Sequence, residues 1–83
     1  MENKREQIIQ ILLESVKAGK YAADDKLPPE RELAAEMGVS RMVLREAIVV
    51  LKTLGVLDVR TRQGVYVKKP QMQNLAESLR FLP

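Results

Sequence analysis

The sequence predicts a small α+β domain: three helices, then a two-stranded β-hairpin, then the start of a fourth helix. Three observations point to it. Apolar residues recur at helical spacing in three separate stretches before residue 55. A glycine closes each stretch, at Gly19, Gly38 and Gly55, where a left-handed cap costs no steric strain. Beyond Gly55 the pattern changes to short, β-branched runs with approximate alternation, VLDVR (56–60) and GVYVKK (64–69). With 83 residues, the chain can build one core and not two.

In the first helix, over 5–18, Ile8, Ile9, Leu12, Leu13 and Val16 share one face, with Glu6, Gln10, Glu14 and Lys17 between them. Residues 20–28 are expected to form a connecting loop, turning at Asp24 and Asp25 and pinned to the core by Tyr21 and Leu27. Pro29 is expected to be the first residue of the second helix, and Glu30 and Glu32 complement its dipole. Leu33, Ala34 and Met37 form the apolar face of this helix, Gly38 ends it, and Val39 plugs the turn. Ser40 is a suitable N-cap for a third helix running to about Leu54. Two helices joined by so short a turn, with a glycine inside it, have the signature of a helix-turn-helix.

On the third helix Leu44, Ala47, Ile48, Leu51 and Leu54 are expected to face the core, while Arg41, Arg45 and Lys52 gather on another side. Thr61-Arg62-Gln63, ahead of Gly64, gives the hairpin a basic tip, so the fold class is a winged helix-turn-helix. Pro70 ends the hairpin, and Leu75, Leu79 and Leu82 mark the fourth helix. Residues 1–69 are therefore the expected domain, and 70–83 a linker with the beginning of a helix.

The charge is unevenly placed. Residues 1–39 hold six Lys/Arg and eight Asp/Glu, whereas 40–69 hold seven Lys/Arg and two acids. A basic second half is the footprint of a surface that meets a polyanion. With no cysteine and no histidine, the chain lacks a thiolate zinc site, a disulfide framework and the commonest general base. No nucleophile–base pair or metal constellation stands out, so the expectation is a non-enzyme without a cofactor; Asp24 and Asp25 read as turn residues. No stretch approaches the ~20 apolar residues of a membrane span. RNA binding is disfavoured because only Tyr21, Tyr66 and Phe81 are aromatic. A winged helix used to bind protein is the main rival, and the basic third helix argues against it.

Double-stranded DNA is the partner these residues suit. A helix fits the major groove, and the residues near its N-terminus meet base edges and phosphates. Arg41 and Arg45 lie one helical turn apart and can reach into one groove, and the helix-start amides around Ser40 to Val43 suit a phosphate. Arg31, Lys52, Arg60, Arg62, Lys68 and Lys69 are candidate phosphate contacts. Met42 and Val43 can either face the groove or pack against the turn. Gln63 and Gly64 suit either a wing contact or a hairpin turn that needs a positive backbone angle.

Several linked motifs then resemble the GntR family, and within it the FadR-type branch, over about residues 7–68. They are Val16-Lys17-Ala18-Gly19, Leu27-Pro28-Pro29-Glu30-Arg31-Glu32-Leu33-Ala34, Gly38-Val39-Ser40-Arg41, Leu44-Arg45-Glu46-Ala47, Leu54-Gly55-Val56-Leu57 and Gly64-Val65-Tyr66-Val67. The resemblance implies a bacterial transcription regulator. Arg31 would reach DNA from the second helix, Arg41 and Arg45 would meet guanines or phosphates, and Met42 and Val43 would face the groove. The recognition helix would span about 40–54, and the wing tip, about 61–64 with Arg62, Gln63 and Gly64, would enter the minor groove. It further implies a palindromic operator bound by a homodimer, and a cytoplasmic protein. A small-molecule effector would bind only through a C-terminal helical domain absent from this chain, which alone would be mostly monomeric. Three residues depart from the family pattern: Asp24 for a turn glycine, Pro29 for a serine cap, and Met42 for a small polar residue.

Overall fold

The computed structural model describes residues 3–68, which form α1 (Lys4–Lys17), α2 (Glu30–Met37), α3 (Arg41–Thr53), β1 (Leu57–Arg60) and β2 (Gly64–Val67). The helix expected around Leu75, Leu79 and Leu82 lies outside the described residues, as does Lys69.

Each helix starts where its sequence offers a cap or a break. The Asn3 side chain accepts from the Glu6 amide at 2.8 Å and opens α1. Pro29 precedes α2 in an extended conformation (ψ 146°), so the helix begins at Glu30, one residue later than expected. Proline has no N–H to orphan and no side chain to cap with, and here it serves as the boundary. Gly38 takes the left-handed conformation (φ 68°) between α2 and α3, and the Val39 amide donates back to the Ala34 carbonyl at 3.1 Å. A residue with a Cβ would be strained at that turn. The Ser40 hydroxyl then accepts from the Val43 amide at 3.1 Å, as an N-cap does.

α1 and α2 pack against α3, and the wing closes the remaining side. Ile8 and Leu12 from α1, Leu33 and Ala34 from α2, and Leu44, Ala47, Ile48 and Leu51 from α3 form a single core with Leu27, Leu57 and Val67. Burying a leucine completely contributes roughly 1.5–3 kcal/mol, so α3, with four core residues, is the element the others organise around. Leu54 does not join them. It sits at the C-cap of α3, 55% exposed, because the chain turns there before the helix can present another core position. Val39 is half-buried, packed against the core's edge.

β1 and β2 pair antiparallel, with Leu57 opposite Val67 and Arg60 opposite Gly64. Both strands are shorter than their β-branched runs, and Val56 and Lys68 flank them, joined by a bond from the Lys68 amide to the Val56 carbonyl at 3.0 Å. The free edge of β2 is covered by the loop after α1. The amides of Asp24 and Leu27 donate to the carbonyls of Val67 and Val65, and the Val67 amide donates to Asp25, each at 2.8 Å. A strand edge left open would be a template for pairing with another chain. The sequence DDKL gave no sign of this role, since it lacks β-branched residues. Asp24 is in the left-handed region (φ 68°), which aspartate tolerates. Among the described residues no helix is long and apolar enough to cross a membrane.

Candidate nucleic-acid interface

The first turns of α3 and the tip of the hairpin each carry exposed cationic groups, Arg41 and Arg45 on the helix and Arg62 on the tip. Arg41 and Arg45 project from α3 with side chains 61% and 64% exposed. Between them and the body of the domain stands Glu30, the first residue of α2. The Arg41 Nε donates to one carboxylate oxygen of Glu30 at 3.1 Å. The Arg45 Nη2 donates to that same oxygen at 2.7 Å, and its Nε to the other oxygen at 3.0 Å. One carboxylate thus holds two guanidinium groups side by side. The hydrogen bond from Arg45 pulls the Glu30 carboxyl down to about 2, with Arg41 acting in the same direction and partial burial opposing both. The same contact raises the already high pKa of Arg45.

This arrangement could not be read from the sequence. Glu30 looked like an acid that complements the dipole of its own helix, and its partners are eleven and fifteen residues away. No periodicity links such positions; only the turn through Gly38 brings them together.

The remaining candidates divide into exposed and engaged groups. Arg31 is exposed, and it takes part in none of the ion pairs among the described residues, which are Lys20–Glu36, Arg41–Glu30, Arg45–Glu30 and Arg60–Asp58. A local pairing with Glu30 or Glu32, the alternative for this residue, does not form, and the Glu30 carboxylate bonds Arg41 and Arg45 instead. Met42 is 71% exposed beside the two arginines, an apolar side chain held out in solvent. Val43 differs: it is half-buried and packs against the core. Ser40 is exposed, but its hydroxyl is committed to the Val43 amide, so that amide is not among those free for a phosphate.

At the hairpin tip Arg62 is exposed and itself adopts a left-handed conformation (φ 64°), while Gly64 has φ 128°. The positive angle expected near Gln63 and Gly64 thus falls on Arg62 and Gly64. The Gln63 amide donates to the Arg60 carbonyl at 3.0 Å and closes the turn, leaving its side chain exposed. A Cβ at Gly64 would stand 2.7 Å from the Lys26 Cε, the end of an exposed flexible side chain that can move aside, so the positive φ is what favours glycine there. Arg60 is not free in the same way. Its guanidinium lies 3.9 Å from the centre of the Tyr66 ring, and its Nε donates to Asp58 at 3.1 Å. Lys52 and Lys68 are exposed. Between the wing and the start of α2 lies an open cleft of about 280 Å³, bordered by Lys26, Pro29, Glu30, Arg60 and Arg62. Among the described residues no group of three or more acids could hold a metal ion.

Residues 4–67 match the family described as bacterial regulatory proteins, gntR family. The Exu regulon transcriptional regulator of Escherichia coli K12 is 40% identical over 75 residues, covering 88% of this chain and 29% of that protein. The HTH-type transcriptional repressor NagR of Bacillus subtilis is 37% identical over 73 residues, covering 88% of this chain and 30% of the repressor. The chain thus spans less than a third of the length of these curated relatives. Among solved structures, the DNA-binding domain of AraR in complex with operator ORR3 superposes with a TM-score of 0.77 at 34% identity, covering 81% of each chain.

Proposed function

The chain belongs to the gntR family of bacterial regulatory proteins, and from that premise we propose that it binds duplex DNA in a sequence-dependent way. α3 lies in the major groove and the hairpin tip in the adjacent minor groove. One observation carries this reading: Arg41 and Arg45 present exposed guanidinium groups one helical turn apart, on the same flank of the domain as the wing cleft that Glu30 and Arg62 border. Arginine grips guanine O6 and N7 with two parallel hydrogen bonds, and each such pair contributes about 1–3 kcal/mol of discrimination. Met42 meets the groove floor, where its apolar tip suits a thymine methyl. Arg31, Arg62 and the amides at the start of α3 meet phosphates, with Gln63 and Gly64 at the minor-groove edge. Ser40 holds the α3 start in shape, and Val43 fixes its depth by packing inward. Support comes from the AraR domain, whose structure was solved on its operator.

The rest of the reading concerns a longer regulator. The relatives extend well beyond the matched region. Residues 1–69 act as the DNA-binding domain of such a protein and 70–83 as its link to a C-terminal domain that dimerises and takes a small-molecule effector. The whole protein is then a cytoplasmic homodimer on a palindromic operator, of the FadR-type branch, and the chain of 83 residues alone is mostly monomeric and binds a half-site weakly.

Selection of duplexes from a random pool, at two salt concentrations, tests the central part. Enrichment of a short motif containing guanines, lost in Arg41→Ala and Arg45→Ala, is the expected result. Binding that enriches nothing and fades uniformly with salt would leave only charge attraction and end the proposal.

A further inference from the structure

Glu30 presents an acid within the very cluster that faces a polyanion, where a negative charge weakens binding to any DNA. Its hydrogen bonds show what it gives in return. A guanidinium has five N–H donors in a rigid fork. Arg45 spends its inner edge, Nε and one Nη2 hydrogen, on the Glu30 carboxylate. Its outer end, where the two Nη nitrogens stand side by side, remains free and is held in one orientation. Arg41 is tethered by Nε alone, so both of its Nη nitrogens remain unspent on Glu30. A guanine edge needs such an oriented pair of donors in the plane of the base, whereas phosphate contacts carry no sequence information.

Resting on the DNA reading above, we propose that Glu30 is the positioning residue that sets specificity at this interface. It cancels one of the two arginine charges toward phosphate and aims the outer fork of Arg45 at a base edge. Its substitution therefore strengthens binding to unrelated sequence while weakening discrimination. The low pKa of Glu30 keeps the carboxylate ionised at any pH where DNA binding is measured.

The test compares the 83-residue chain with Glu30→Gln on the selected duplex and on a scrambled one, across a salt series below the melting temperature of both proteins. Glu30→Gln is expected to bind the scrambled duplex several-fold more tightly, with a salt slope steeper by about 0.9, the share of one added phosphate contact. The ratio of selected to scrambled affinity falls by about fivefold or more, the low end of one bidentate base contact. In an Arg45→Ala background, where discrimination between the duplexes is already lost, the same substitution leaves the ratio unchanged. Glu30→Asp keeps the charge and withdraws the carboxylate by one methylene, so the ratio falls while the salt slope stays that of the parent.

An unchanged ratio and slope in Glu30→Gln overturns the inference. A parent protein that fails to distinguish the two duplexes refutes the DNA reading itself. A parent that discriminates, beside a Glu30→Gln protein that discriminates equally well, refutes only the role of Glu30.

Discussion

α3 and the wing both carry exposed cations, yet they are held in different ways. α3 carries its arginines on the outer side of a helix whose inner side supplies Leu44, Ala47, Ile48 and Leu51 to the core. Its start is fixed by Ser40, and its two arginines are tied to Glu30. The wing is a four-pair hairpin anchored at its base by Leu57 and Val67, with a tip that rests on backbone geometry at Arg62 and Gly64. The difference teaches a division of labour: base reading needs side chains fixed by packing and pairing, whereas a groove-edge contact needs only a tip of the right shape.

The largest effect that sharpens this contrast comes from the core. Leu51→Ala removes a wholly buried side chain beneath α3 and is expected to cost about 2–5 kcal/mol in urea unfolding. A loss near zero would mean that α3 is not the organising element. Gly64→Ala, at the wing, should cost about 1 kcal/mol or more, because alanine is strained at φ 128° while the flexible end of Lys26 can move aside. Its DNA affinity should fall while the base preference read by α3 persists; a changed selected motif would contradict the division. Ser40→Ala should cost about 1 kcal/mol of stability from the lost cap, measured by thermal melting.

The smallest effect is a pH dependence. The Glu30 carboxyl is held at about 2, against an ordinary 4.5, so its pairing stabilises the fold above pH 4.5 and is lost as pH falls toward 2. Acid titration of folding stability should show a decline in that window that is shallower in Glu30→Gln. Identical curves would mean that the pairing adds nothing to the folded state, as many solvent-exposed ion pairs do.

The same contrast explains what could be read from the sequence. The three helices were legible because local spacing and caps decide them: Ser40, Gly38 and the apolar positions of α3 lie where their types demand. The limits of the hairpin were legible to within a residue or two, with Gly64 as the marker. Three features escaped. Leu54 fits the apolar repeat of α3 but falls on the cap, where the chain has already turned. Residues 24–27 cover the edge of β2 through backbone bonds that no side-chain pattern encodes. Glu30 meets Arg41 and Arg45 only through the tertiary turn. Each arginine was legible as an exposed cation on α3; the acid that pairs with both was not.

The measurement that tests the account most directly is an amide chemical-shift map of the domain titrated with its selected half-site duplex. The expected result is large shifts at Arg31, at Ser40 to Arg45 and at Arg62 to Gly64, with the outer face of α1 around Ile11 unmoved. Shifts centred on α1, or none at the start of α3 while the duplex is bound, would contradict the placement of α3 in the groove.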